Sequence, residues 1–178
     1  MATKTIDELK SELRDFKISI LNDEIKFKLI TEFPDEISER LDFITSTFPD
    51  DVISGSLALN LLSLLKRRTN DIDILIPDAN RYSKYVLDGY DDEFSTSNRL
   101  GFKTFKYKKG LFYREEEYQV DFFENKNPTY LLFEYKGVKL KIHNPVEILQ
   151  FKLDIIQNTR VSSITSKKHI EDLRHVFN

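Results

Sequence analysis

Apolar positions recur at helical spacing along the first fifty residues. Leu9, Leu13 and Phe16 fall on one face behind Thr5-Ile6-Asp7-Glu8, a stretch that fits a capping box. Residues 22–33 predict a second helix, and Pro34 opens a third in which Ile37, Leu41 and Ile44 share a face before Pro49. From Asp51 the texture changes. Val52-Ile53-Ser54 is a short apolar run entering Gly55-Ser56, and Leu57 to Lys66 predicts a helix. Asn70 to Ile76 then alternates, with Asp71 and Asp73 on one side and Ile72, Ile74 and Ile76 on the other, until Pro77 ends it. Arg81 to Leu87 predicts another helix, closed by Gly89.

Strand patterns dominate the next sixty residues. Phe102 to Lys108 is expected to turn at Lys109-Gly110 into a hairpin partner, Leu111 to Arg114. Tyr118 to Phe123 predicts a further strand, and Leu131–Tyr135 with Val138–Ile142 a hairpin around Lys136-Gly137. Asn144-Pro145-Val146-Glu147 is a strong helix start: Asn caps, Pro takes the first helical position, and Glu can reach back. Ile148 to Gln157 continues it. A polar gap, Thr159 to Ser166, precedes a last helix carrying Ile170, Leu173, Val176 and Phe177. No repeat or linker divides the chain. The expected fold is α+β, a mixed β-sheet backed by helices, in a single domain over residues 1–178. Residues 1–50 form a helical N-terminal extension, 51–143 a sheet core and 144–178 C-terminal helices.

Composition narrows the class. At 178 residues, 40% hydrophobic and 32% charged, the chain has material for a core and is not of disordered type. The longest apolar run, Leu57–Leu65, is interrupted by Asn60 and Ser63 and is too short to cross a bilayer. The charged, polar start lacks the apolar stretch of a secretory signal, so a cytoplasmic protein is expected, with no membrane partner. The absence of cysteine excludes disulfides, thiol catalysis and cysteine metal sites. Charge is uneven: residues 1–100 carry 13 basic against 20 acidic side chains, residues 101–178 carry 14 against 10. Lys103, Lys106, Lys108 and Lys109 therefore form either a solvated strand edge or a nucleic-acid contact.

The chemistry concentrates between Ser54 and Ile76. That stretch predicts a strand, a Gly-Ser turn, a helix, and a second strand opening with Asp-x-Asp. Carboxylates at i and i+2 of a strand point the same way, their Cα atoms ~6–7 Å apart. A hard divalent ion relieves their repulsion, taking carboxylate oxygens together with phosphate oxygens and water. The Gly-Ser turn offers backbone N–H groups and a hydroxyl to a phosphate. Asp121, placed mid-strand among apolar and aromatic residues in Tyr118–Phe123, is a candidate third carboxylate, with Glu117 and Glu124 as alternatives. The histidines form no i, i+4 pair on one helix. His169 and His175 read as surface residues of the last helix.

In order and spacing, Gly55-Ser56, a helix and Asp71-Ile72-Asp73 resemble the nucleotidyltransferase superfamily, of the polymerase-beta-like fold. Arg67-Arg68-Thr69-Asn70-Asp71-Ile72-Asp73 is similar to the Arg-x-Thr-x-Asp-Ile-Asp of the minimal, AbiEii-like toxin nucleotidyltransferases. Asn144 to Lys152 resembles the family's Pro-x-Glu-x-Leu…Lys helix. Arg160 and Lys168-His169-Ile170-Glu171-Asp172 resemble its closing region, with His169 where an acid is expected after the lysine. The resemblance does not extend to residues 1–50.

It implies a metal-dependent nucleotidyltransferase that moves NMP from an NTP to a hydroxyl acceptor and releases pyrophosphate. Asp71, Asp73 and Asp121 would be the catalytic and metal-holding residues, with Mg²⁺ or Mn²⁺. Gly55, Ser56, Thr69 and Lys152 would bind nucleotide, Lys152 being equally readable as structural. The acceptor is RNA, protein or a small hydroxyl compound, and the family implies an antitoxin or oligomeric partner. The alternatives are a non-catalytic scaffold of the same fold and a nucleic-acid-binding accessory protein that uses the Lys103–Lys109 face.

Overall fold

Thr5 and Glu8 cap the first helix reciprocally. The Glu8 N–H donates to the Thr5 hydroxyl at 3.2 Å, and the Thr5 N–H donates to the Glu8 carboxylate at 2.7 Å. The helix they start, α1 (Ile6–Leu21), buries Leu9 and Leu13. Phe16 extends the same face, meeting Phe27 and Phe177 edge-on. The computed structural model describes residues 3–24, 27–69, 71–78, 86–87, 104–107, 119–157 and 163–178.

The helix expected over residues 22–33 is absent from its described part. Asp23 adopts a left-handed φ of 55°, and the backbone from Phe27 onward is spent on other partners. Ile30 donates its N–H to the Leu61 carbonyl at 3.1 Å, and the Lys28 carbonyl accepts from the Ser63 hydroxyl at 2.8 Å. The apolar residues that suggested a helix (Phe27, Leu29, Ile30 and Phe33) instead lie on the core as an extended strap. Helix α2 (Asp35–Thr47) follows Pro34 as its sequence predicts, burying Leu41 and Ile44. Tyr135 ties it to the sheet by donating to Asp42 at 2.7 Å.

Strand β1 (Val52–Ser54) leads directly into α3 (Gly55–Leu61). That helix stops short of the expected Lys66 because Asn60 turns inward. Its amide donates to the carbonyls of Leu65 at 2.6 Å and Arg67 at 3.1 Å, while Ser63 takes φ 60°. Strand β2 (Asp71–Ile76) keeps the alternation of its sequence, with Ile72, Ile74 and Ile76 fully buried. Val86 and Leu87 form strand β3, not the end of a helix, because their backbone pairs antiparallel with β4 (Thr104–Tyr107). The rest of the expected 81–87 helix and the 111–114 hairpin partner lie outside the described residues. Strand β5 (Gln119–Glu124) precedes the hairpin of β6 (Tyr130–Tyr135) and β7 (Val138–His143). Lys136 and Gly137, both at positive φ, make its two-residue turn.

Helix α4 (Pro145–Gln157) begins where expected, the Asn144 side chain accepting from the Val146 N–H at 3.0 Å. Helix α5 (Ser163–Val176) starts three residues before the end of the anticipated polar gap. The seven strands form one mixed sheet in the order β3-β4-β5-β2-β1-β7-β6, and α1, α4 and α5 pack together beside it. The fold is α+β. Phe122, in register with Ile74, meets Phe48 edge-on, so the aromatic core and the Asp73 side chain lie on opposite faces of the sheet. Among the described residues, no helix is long and apolar enough to cross a membrane.

Candidate active site

Four neighbouring strands bring one polar residue each to the same row. Ser54 on β1 pairs with Asp73 on antiparallel β2, and Asp73 pairs with Asp121 on parallel β5. On the other side of β1, Ile53 pairs with Ile142, which sets Ser54 beside His143 at the end of β7. Directly paired residues project from the same face. The resulting order across the sheet is His143, Ser54, Asp73, Asp121. Asp71 lies two residues before Asp73 and on the same side.

Gly55 lets Asp73 reach its position. It has φ +63°, and a Cβ built on it would overlap Asp73 Oδ2 and lie 2.8 Å from Cγ. The carboxylate therefore fills the space that any other residue's side chain would need. Burial pushes the Asp73 carboxyl up to about 7, and the charges of Asp121 and Asp71 push the same way against Lys152 and Lys168. Asp73 keeps one edge open to solvent, while protein encloses the rest of it. Such a carboxylate is unfavourable as an isolated anion and is stabilised by a cation.

A second group of charges stands behind the row. Asp172 on α5 is buried and accepts from Arg67 Nε at 2.5 Å, from Arg67 Nη2 at 2.8 Å and from Lys152 Nζ at 2.9 Å. Burial raises the Asp172 carboxyl, but these two cations outweigh it and hold the group at about 2. Arg67 also donates to Ser56 Oγ at 2.8 Å, linking the cluster to the start of α3. His169 is not a surface residue. Its Nδ1 is 3.3 Å from Lys152 Nζ, and burial, with the Lys152 charge, lowers it to about 3, so it packs as a neutral ring. An acid at that position would have competed with Asp172 for Lys152.

A cleft of about 920 Å³ opens onto this region, with Ser54, Gly55, Asp73, His143, Lys152 and His169 in its wall. Helix α1 also lines it, contributing Asp7 and, at i, i+4 and i+7, Lys10, Arg14 and Lys17, with Lys10 Nζ 3.9 Å from Asp7. The first fifty residues thus supply a wall of the site, although their overall acidity concealed it. The regular spacing of those three cations was the available signal.

Compared with protein-family models, curated proteins and solved structures, the chain gives no significant match.

Of the residues singled out in the sequence, Gly55, Asp73 and Lys152 line the cleft, and Asp121 and Asp71 flank Asp73. Thr69 is placed differently: it is buried, and its hydroxyl donates to the Asn60 side chain. Ser56 accepts from Arg67 and is not part of the cleft wall. Glu124 lines the cleft, three residues beyond Asp121 on the same strand. Glu117 lies outside the described residues. Among the described residues, no three His, Cys, Asp or Glu side chains converge as a ready-made metal cage. The donor set still fits Mg²⁺ or Mn²⁺. Such ions are commonly held by one or two carboxylates, with phosphate oxygens and water completing the shell. Ser54, His143, Arg67 and Asp172 are members of the site to which the sequence reading gave no role, and His169 was expected at the surface. Nothing local in α5 shows that its Asp faces inward.

Proposed function

We propose that the chain is a metal-dependent nucleotidyltransferase, transferring NMP from an NTP to a hydroxyl acceptor. The observation that carries this reading is Asp73. Its carboxylate is lodged over Gly55, lies in register with Asp121 and shares its side of the strand with Asp71. Burial and the charges of Asp121 and Asp71 raise Asp73, a cost in a structural role that a cation–phosphate ligand would relieve. Asp71, Asp73 and Asp121 would hold the divalent ion, which, when bound, neutralises phosphate charge and lowers the pKa of an attacking hydroxyl.

The chain's own residues do the rest. Gly55, having no side chain, lets the Asp73 carboxylate lodge against the turn at the start of α3, in the cleft wall. Lys152, held by Asp172 and almost wholly buried in the cleft wall, adds positive potential near Asp73. Arg67 holds Ser56 and Asp172 in place, a positioning role. Lys10, Arg14 and Lys17 add positive charge to the cleft wall from α1, suited to a polyphosphate or to an RNA acceptor.

The test uses each α-³²P-labelled NTP with Mg²⁺ or Mn²⁺, offering total RNA and lysate protein as acceptors. Label transferred by the wild type and lost in Asp71→Ala and Asp73→Ala is the expected result. Folded variants of both that kept full transfer would sink the assignment. No nucleotide binding by a wild type saturated with metal would favour the non-catalytic scaffold.

A further inference from the structure

Ser54 occupies the N-cap position of α3 yet makes no capping hydrogen bond. Serine at that position normally accepts from the N–H two or three residues on. Here the hydroxyl is instead 2.8 Å from His143 Nδ1. The other ring nitrogen, Nε2, is 2.5 Å from Glu147 Oε2. A carboxylate only accepts, so His143 Nε2–H donates to Glu147 and the Nδ1 lone pair faces Ser54. The hydroxyl therefore donates to the ring. Burial lowers His143 further than Glu147 raises it, which keeps the imidazole neutral and able to take a proton. A serine on an imidazole that is oriented by a carboxylate is the arrangement of an activated nucleophile.

The relay lies where a nucleophile could be used. Ser54, His143 and Glu147 all line the cleft, and Ser54 is the direct strand partner of Asp73. Neighbouring strands are about 4.8 Å apart, so a phosphate held at Asp73 is within one side-chain length of the hydroxyl. A purely structural tie between β1, β7 and α4 would not need its three members on the cleft wall.

We propose that Ser54 is a nucleophile of this chain and, resting on the nucleotidyltransferase reading, that it accepts NMP from the bound NTP. Ser54 Oγ forms a bond to the α-phosphorus while the bond from that phosphorus to the bridging oxygen of the β-phosphate breaks. Pyrophosphate leaves with the electron pair. The hydroxyl proton passes to His143 Nδ1, and Glu147 stabilises the imidazolium. The product is a serine–NMP phosphodiester within the cleft, a self-modification that blocks the space beside Asp73.

Two probes of the full chain separate this inference from the reading beneath it. An activated serine attacks the phosphorus of a fluorophosphonate without nucleotide or metal, forming the Oγ–P bond as fluoride leaves. The reagent is expected to modify Ser54, at least tenfold more slowly in Glu147→Gln, and not at all in Ser54→Ala. Incubation with each NTP and Mg²⁺ or Mn²⁺, followed by peptide mass spectrometry, is expected to find one NMP on Ser54. In Ser54→Cys, alkylation by iodoacetamide tests the same activation should the alanine variant fail to fold. An unmodified Ser54 with both probes, in a preparation that labels added RNA or protein, overturns the proposal and leaves the transferase reading intact. Fluorophosphonate on Ser54 without NMP on any acceptor supports the nucleophile and overturns the nucleotide as its electrophile.

Discussion

Gly55 and Asp73 are in such close contact that the glycine's missing side chain is the space the carboxylate occupies. Gly55→Ala therefore carries two faults, a left-handed φ and an overlap with Asp73. The backbone term alone is about 1–2 kcal/mol, and displacement of Asp73 adds to it. Urea denaturation should show a loss of at least that size, and the folded fraction should bind metal and NTP more weakly. An alanine variant with wild-type stability would mean that Asp73 moves away from Gly55 at little cost.

Asp73→Asn should uncouple stability from activity. Removing a buried anion that Asp121 and Asp71 repel raises the thermal midpoint of the metal-free protein at pH 8, measured with chelator present. The same variant should lose transfer. A lower midpoint would indicate that Asp73 is stabilised by a partner within the protein and is not waiting for a cation.

Acid stability should depend on that residue as well. His169 is held at about 3 and His143 below its ordinary 6.5, so both are neutral in the fold and bind protons on unfolding. Each stabilises fully above 6.5 and loses its contribution as pH falls below that. Asp73, raised to about 7, has the opposite sign: the fold gains a proton, and stability, between about 7 and 3.8. One imidazole is thereby offset. Asp73→Asn removes the offset, and its stability should fall more steeply from pH 6.5 to 4, by up to about 1.4 kcal/mol per pH unit for one proton. Below 3.8 both proteins should also lose the contribution of Asp172, held at about 2. Parallel denaturation curves across pH 4 to 6.5 would contradict this account.

Asp172 anchors two cations, and Lys152 is almost wholly buried with it. Asp172→Asn leaves both without their charge partner, a change of about 3–5 kcal/mol for a buried pair broken on one side. Chemical denaturation would measure it, and restoration by Asp172→Glu, which keeps the charge, is not expected because the bidentate fit to Arg67 is lost.

The stripe on α1 should matter for binding and not for folding. Arg14 and Lys17 are exposed and Lys10 half-buried, so replacing all three with Gln should shift the denaturation midpoint little. It should raise KM for NTP or RNA severalfold and flatten the dependence of binding on salt. An unchanged salt slope would exclude α1 from the binding surface.

Local signals located most of the framework. Thr5 and Glu8, the alternation of β2, and Asn144-Pro145 each specify an element from nearest neighbours alone, and all three formed where expected. The segment from Phe27 to Phe33 did not, because the partners of its backbone, Leu61 for Ile30 and Ser63 for Lys28, are 31 and 35 residues away. The site divides in the same way. Asp71, Asp73 and Gly55 stand out by spacing, whereas Ser54–His143 and Arg67–Asp172 are contacts across 89 and 105 residues. No local pattern encodes such pairs. His143 and Glu147 are only four apart, but one ends a strand and the other begins a helix, which hid them from a search for helical pairs.

The strand order has a consequence for synthesis. β1 emerges from the ribosome early, yet its neighbour on one side is β7, and Asp172 comes later still on α5. The acids on β2 and β5 lie on strands that can pair with each other, and β2 with β1, before β7 is made, whereas Ser54 and Lys152 gain their partners His143 and Asp172 only afterwards. The acidic row is thus laid down first in synthesis, and the side chains that fix its serine and lysine neighbours are laid down last.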